Sequence, residues 1–153
     1  MKPADIKMHT LLRGMFSEHA VSEEVSVTNI TLDSRQVLPG GLFLLLAKDA
    51  EQRRQYLEQA ISRGAIAIAH DSEPGLTEKE KTVCQRQNVM TYSVNDLSDN
   101  TGEIAARFYG QPSDKLTVIA ITGTNGKTSV SQFIAQAFES LNIPCGVIGT
   151  LGV

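Results

Sequence analysis

Leu42-Phe43-Leu44-Leu45-Leu46-Ala47 and Ala65-Ile66-Ala67-Ile68-Ala69 are short, unbroken apolar runs, and between them residues 53–63 repeat apolar side chains at helical spacing. A run of that length without polar alternation is expected of a strand covered on both faces. In the intervening segment Tyr56, Leu57, Ala60 and Ile61 share one helical face. Gly64 follows directly, able to take the left-handed conformation that ends a helix. Strand, helix and strand in this order make a βαβ unit, which places the chain in the α/β class.

The pattern extends to both sides of this unit. Upstream, Val25-Ser26-Val27-Thr28-Asn29-Ile30-Thr31-Leu32 is β-branched and partly alternating, as in a half-buried strand, and Pro39-Gly40-Gly41 marks a turn. Downstream, residues 70–87 hold Pro74-Gly75 and the mixed charges Glu78-Lys79-Glu80-Lys81, and read as a solvated loop or short helix with little functional content. Residues 89–94 are β-prone. Asp96 is placed to cap a helix carrying Leu97, Thr101, Ile104, Ala105 and Phe108. Gly110-Gln111-Pro112-Ser113-Asp114 breaks that helix, and the expected domains are 1–110 and 111–153.

Beyond the break, Leu116-Thr117-Val118-Ile119-Ala120-Ile121 reads as a buried strand leading into Thr122-Gly123-Thr124-Asn125-Gly126-Lys127-Thr128-Ser129. Val130, Phe133, Ile134, Ala137, Phe138 and Leu141 then line one face of a helix, which Asn142 and Pro144 stop, and Gly146-Val147-Ile148-Gly149-Thr150 begins another strand. A glycine-rich turn between a strand and a helix cradles phosphate, because backbone N–H groups and the helix N-terminus point at the anion. Lys127 is placed for the β- and γ-phosphates and the Thr128 hydroxyl for Mg²⁺. The spacing is Gly-x-x-Gly-Lys-Thr; the longer phosphate-loop pattern requires glycine at position 121, where this chain has Ile121.

Composition sets limits on function. The chain has 153 residues, 41% hydrophobic and 20% charged, a balance that excludes disorder and suits a single folded domain. A net charge of −3 removes the usual electrostatic source of nucleic-acid binding, so no nucleic-acid partner is expected. No apolar run approaches the ~20 residues of a membrane span, so no membrane partner is expected either. Cys84 and Cys145 do not make a disulfide framework and fit unpaired thiols in a cytoplasmic protein. His9, His19 and His70 lack metal-ligand spacing, and Ser129 and Ser131 have no identifiable base partner. Arg53-Arg54 could hold a phosphate, but on an early helical turn it reads at least as well as a solvated face.

Ile121-Thr122-Gly123-Thr124-Asn125-Gly126-Lys127-Thr128-Ser129 resembles the ATP loop of the Mur ligases, the ATP-dependent amide-forming enzymes of peptidoglycan precursor synthesis. Thr31-Leu32-Asp33-Ser34-Arg35 with Pro39-Gly40-Gly41-Leu42-Phe43, and Gly149-Thr150-Leu151-Gly152, resemble the branch of that family that adds the third peptide residue. The resemblance implies a small N-terminal αβ substrate-binding domain, followed by the first strand, phosphate loop, helix and strand of a P-loop ATPase domain. It implies ATP and Mg²⁺ as cofactors, with Gly123, Thr124, Asn125, Gly126, Lys127, Thr128 and Ser129 on ATP, Lys127 as the catalytic cation and Thr128 on the metal. Leu32 and Ser34 match positions that hold the uridine end of a UDP-muramyl substrate, and Asp49, Ala50 and Glu51 map to a further UDP contact. That turn departs from the family, in which a Gly-rich, histidine-containing segment is usual.

The implied reaction activates the D-glutamate γ-carboxyl of UDP-N-acetylmuramoyl-L-Ala-D-Glu as an acyl phosphate. An amine of meso-diaminopimelate or L-lysine then attacks it. Family enzymes have three domains, so this chain is expected to be an N-terminal fragment, inactive alone, whose incomplete second domain exposes Val118, Ile119, Phe133, Ile134 and Phe138 and self-associates. Two other readings stay open: a stand-alone UDP-sugar-binding module, and another Mur-type ligase or small P-loop phosphotransferase.

Overall fold

The computed structural model describes residues 5–15 and 25–150; His19 and Leu151-Gly152 lie outside the described residues. The chain divides into two compact units, Met1–Lys115 and Leu116–Val153. The break at Gly110-Gln111-Pro112-Ser113-Asp114 falls at the end of the first, running into a 3₁₀ turn over Pro112–Lys115.

The first unit is built on a parallel sheet of four strands in the order β3-β4-β5-β6: Ile30–Thr31, Gly41–Leu45, Ala65–Asp71 and Met90–Val94. Helix α2 (Ala50–Ser62) joins β4 to β5 and α3 (Glu78–Arg86) joins β5 to β6; α4 (Leu97–Phe108) follows β6. Near the N-terminus, β1 (Ile6–Lys7) leads into the single turn α1 (Met8–Leu11) and pairs antiparallel with β2 (Ser26–Val27).

Strand alternation divides the core into two layers. Leu42 and Leu44 pack with Met8, Leu11, Leu97, Ile104 and Phe108 on one face of the sheet. Phe43 and Leu45 pack with Leu57, Ala60, Ile68 and Cys84 on the other. All five residues of β4 are buried, as the unbroken apolar run predicts for a strand covered on both sides. Gly64, at φ +94°, ends the α2 turn, and a Cβ there would stand 3.0 Å from the Pro39 backbone. Only glycine fits both demands.

Several local expectations are corrected. Residues 25–32 form two short strands, because Thr28 and Asn29 are drawn into the 38–40 turn. Thr28 N–H donates to the Gly40 carbonyl, its hydroxyl to Pro39, and Asn29 Nδ2 to Leu38. These bonds replace a continuous ladder. Helix α2 begins at Ala50 because Asp49 caps it, accepting from Gln52 N–H at 2.9 Å. Its buried face carries Arg53, Leu57 and Ala60, while Tyr56 is exposed.

Residues 70–87 hold more structure than expected: β5 continues through Asp71, and Thr77 and Glu80 close a reciprocal capping box on α3. Asp96 sits at the N-cap of α4 in a left-handed conformation without a side-chain cap bond. Asp71 takes that part instead, its Oδ1 accepting from Leu97 N–H at 2.7 Å. Arg107 closes the other end of the layer, donating through Nη1 to the carbonyls of Leu11 and Arg13.

The second unit departs furthest from expectation. Helix α5 (Lys127–Ser140) forms as predicted and ends with Asn142 at φ +56°. Residues 116–121 and 146–148 are not strands, and no described residue of the unit is buried. A strand needs a neighbour to satisfy its N–H and C=O groups, and none of the described residues here supplies one. Val118, Ile119 and Phe133 are therefore exposed at 72%, 51% and 67%.

Candidate functional site

Residues 122–126 turn directly into α5. Gly126 occupies the N-cap at φ +78° and Gly123 has φ +146°, backbone states that residues with a Cβ resist. No side chain caps α5, and its first turn holds no acidic residue. Its leading N–H groups thus face outward at the positive end of the helix dipole. Lys127 Nζ folds back over the loop and donates to the Gly123 carbonyl at 2.6 Å. The Thr128 hydroxyl stands 3.5 Å from that of Thr150, and Ser131 donates to the Thr128 carbonyl.

These residues open onto a groove of about 630 Å³ lined by Lys127, Thr128, Ser131, Gln132 and residues 145–150. A lysine held over a glycine loop, a threonine hydroxyl and an uncapped helix N-terminus together fit a nucleoside triphosphate with its Mg²⁺. Of the predicted loop residues, Lys127 and Thr128 line this groove; Gly123, Thr124, Asn125, Gly126 and Ser129 form the exposed turn and the first helical turn beside it. Among the described residues no group of three or more His, Cys, Asp or Glu could hold a metal ion.

The second set of predicted residues lies in the first unit, beyond the C-terminal ends of β3 and β4, where parallel αβ sheets take ligands. Ser34 is 4% exposed and its hydroxyl donates to Gln59 Oε1 at 2.7 Å. Leu32, just before it, is half exposed. Asp33 fixes the turn between them: it caps the 3₁₀ turn Ser34–Gln36 and accepts two bonds from the Arg35 guanidinium. The side-chain and backbone bonds from Arg35 bring the Asp33 carboxyl down to about 2.

Asp49, Ala50 and Glu51 lie at the start of α2 rather than in a free turn. Asp49 is engaged as the cap, and Glu51 bonds Arg54 at 2.9 Å. Their side chains are thus committed within the helix, which leaves Ala50 and Glu51 backbone N–H groups as the polar features of this turn. Gln59 is a residue the sequence reading missed. Its link to Ser34 spans the β4 strand, and no local pattern announces a pairing of that kind.

A further cleft of about 310 Å³ lies between the ends of β4 and β5, lined by Leu45, Leu46, Ala47, Lys48, Arg53, His70 and residues 71–75. Arg53 Nε donates to Glu80 Oε1 at 3.0 Å, and both side chains are over nine-tenths buried. Glu80 Oε2 takes the N–H and hydroxyl of Thr77. Burial alone would raise the Glu80 carboxyl, but the Thr77 backbone bond and Arg53 outweigh it and hold it below the ordinary range. Cys84, behind this pair, is a buried free thiol that burial and the Glu80 charge push up to about 11. It is therefore protonated and unreactive at neutral pH. Cys145 is free and exposed.

A parallel αβ unit and a Gly-x-x-Gly-Lys-Thr loop opening a helix make an arrangement suited to nucleotide phosphates. The profile of the Mur ligase middle domain matches residues 121–153, and the chain is similar to Mur ligases along most of its length. It is 41% identical over 133 residues to the UDP-N-acetylmuramoyl-L-alanyl-D-glutamate--2,6-diaminopimelate ligase of Ectopseudomonas mendocina, covering 87% of this chain and 26% of that protein. The Pseudomonas putida protein of the same name is 40% identical over 145 residues, covering 95% and 28%. A solved structure of a ligase with this name superposes with a TM-score of 0.68 at 25% identity, over 97% of this chain and 28% of that one. The chain thus spans about a quarter of the length of the relatives it matches.

Proposed function

We propose that this sequence serves an ATP-dependent ligase of peptidoglycan precursor synthesis in the cytoplasm, which joins a diamino acid to UDP-N-acetylmuramoyl-L-Ala-D-Glu. The observation that carries the reading is the Lys127 ammonium held over a glycine loop at an uncapped helix N-terminus, in a chain about 40% identical to ligases of that name along most of its length. The identity of the curated relatives favours diaminopimelate over lysine as the incoming amine.

In this reading the chain contributes two parts. Residues 1–110 dock the UDP end of the substrate through Leu32, Ser34 and the Asp49, Ala50 and Glu51 turn. Residues 111–153 begin the ATP-binding domain. With ATP and Mg²⁺ bound, Lys127 would exchange the Gly123 carbonyl for phosphate oxygens and Thr128 would offer its hydroxyl to the metal. The N–H groups of the first α5 turn face charge that develops on the transferred phosphoryl group. ATP with Mg²⁺ would supply the activated phosphoryl group. The test is product formation by the complete enzyme: ADP and a UDP-linked tripeptide appear only with ATP, Mg²⁺, the UDP-dipeptide and diaminopimelate together. Amide formation that ignores the UDP group contradicts the reading.

The exposed apolar side chains of the second unit support a further expectation. Val118, Ile119, Val130 and Phe133 need a cover, and at high concentration a second copy of the chain provides it. Light scattering on the isolated chain is expected to show mass rising with concentration, and Phe133→Asp to reduce that rise. A strictly monomeric chain across the range contradicts it.

A further inference from the structure

The Ser34 hydroxyl has a single proton, and that proton is already committed. It is donated to Gln59 Oε1 at 2.7 Å, the usual length for a hydroxyl donor. Only lone pairs are left on Ser34 Oγ, so toward a ligand this hydroxyl is an acceptor. Without Gln59 it would turn to suit a donor or an acceptor alike.

Both partners sit on backbone that their neighbours hold in place. Asp33 caps the 3₁₀ turn Ser34–Gln36, its carboxylate accepting from the Arg35 N–H and its carbonyl from the Gln36 N–H. Ser34 is buried within that turn. Gln59 lies near the end of α2, half-buried, with the buried Leu57 and Ala60 on either side of it in sequence. Its carbonyl accepts from the Ser62 hydroxyl and the Arg63 N–H. Arg63 in turn donates through Nε to the Val37 carbonyl at 3.2 Å, which ties the end of α2 to the residue after the 3₁₀ turn. The direction of the Ser34 bond is thus set before any ligand arrives.

A fixed acceptor sorts nucleobases by the edge they present. Uracil carries an imide N–H at N3, which is a donor. Cytosine has a bare nitrogen at the same place, which is an acceptor. Two acceptors facing each other leave a desolvated polar group without a bond, and that mismatch is costly.

We propose that Gln59 is a specificity-determining positioning residue: by taking the Ser34 proton it makes Ser34 an acceptor for the imide N–H of uracil and sets the docking unit against cytosine. This role rests on the docking reading of Ser34, and adds to it a second residue and the direction of the bond. Gln59 acts through Ser34 and does not itself touch the base.

Calorimetric titration of the full chain at pH 7 with uridine diphosphate and, separately, cytidine diphosphate tests this through the ratio of the two affinities. The native chain is expected to favour uridine diphosphate by roughly tenfold or more. Gln59→Met keeps the side-chain length, removes the acceptor and lets the hydroxyl turn, so the two affinities are expected to come within about threefold of each other. Gln59→Glu, ionised at this pH, can only accept. Its charge weakens both nucleotides alike, and the native ratio is expected to persist. A packing role for Gln59 would lower both affinities in Gln59→Met and leave their ratio untouched. A native ratio near one, a ratio that survives in Gln59→Met, or a preference that turns to cytidine in Gln59→Glu overturns the proposal and leaves docking at Ser34 standing. Failure of the native chain to bind either nucleotide removes the docking reading and this role with it. Should Gln59→Met fail to fold, loss of the uridine preference in Gln59→Glu overturns the proposal alone.

Discussion

Glu80→Ala is expected to lower the stability of the first unit by about 3 kcal/mol, the low end for breaking a buried ion pair. Two effects act together. The Arg53 guanidinium loses the carboxylate on its Nε while remaining over nine-tenths buried, and Thr77 loses the partner that closes the α3 capping box. A cost of that size corresponds to a fall in Tm on the order of 10 °C for a domain this small. Glu78→Ala is the internal control: Glu78 is exposed and bonds Lys81 across one helical turn, so its loss is worth a few tenths of a kcal/mol at most.

The pH dependence carries a definite sign. Glu80 is held below its ordinary range in the folded state, so its contribution is complete above the unfolded carboxylate value of about 4.3 and is lost as pH falls through the lower folded value. Thermal unfolding at pH 7 and at successively lower pH is expected to show the gap between the native chain and Glu80→Gln narrowing in acid. A gap independent of pH contradicts the ion-pair account.

Lys127→Ala carries the largest functional effect. In a complete ligase built on this sequence it is expected to lower kcat by roughly 10²–10³-fold, the usual cost of removing one preorganised group that faces developing charge. Lys127→Arg is expected to recover little, because a planar fork does not reproduce a compact ammonium over the Gly123 carbonyl. Lys79→Ala, at an exposed position on α3, is expected to leave the rate unchanged. Steady-state ADP release with the UDP-dipeptide and diaminopimelate measures all three. A Lys127→Ala enzyme within threefold of the native rate contradicts the assigned role.

The parts of the fold that were legible in sequence are those that local physics controls. Leu42, Phe43, Leu44 and Leu45 could only be a strand buried on both faces, and Gly64 could only end the helix before β5. The Gly-x-x-Gly-Lys-Thr spacing announced a turn onto a helix N-terminus, and the turn is there. What escaped was what distant residues decide. Asp96 looked like a cap, yet Asp71 supplies the cap bond from another strand end. Residues 116–121 have every strand-forming side chain and form no strand, since hydrogen bonding needs a partner that the sequence of one strand cannot specify. Glu80, read in sequence as one charge of a mixed run, pairs with Arg53 only because α3 packs beside α2, and His70 shares a cleft with Arg53 only because β5 ends there. Ser34 was visible through its motif, whereas Gln59, which holds its hydroxyl, was not.

Calorimetric titration of UDP-N-acetylmuramoyl-L-Ala-D-Glu into the chain, beside Ser34→Ala, tests the central claim most directly. The expected result is saturable binding that Ser34→Ala weakens by roughly tenfold, since the buried hydroxyl bonded to Gln59 is removed. Absence of binding by the folded chain, or an affinity that Ser34→Ala leaves unchanged, would contradict it.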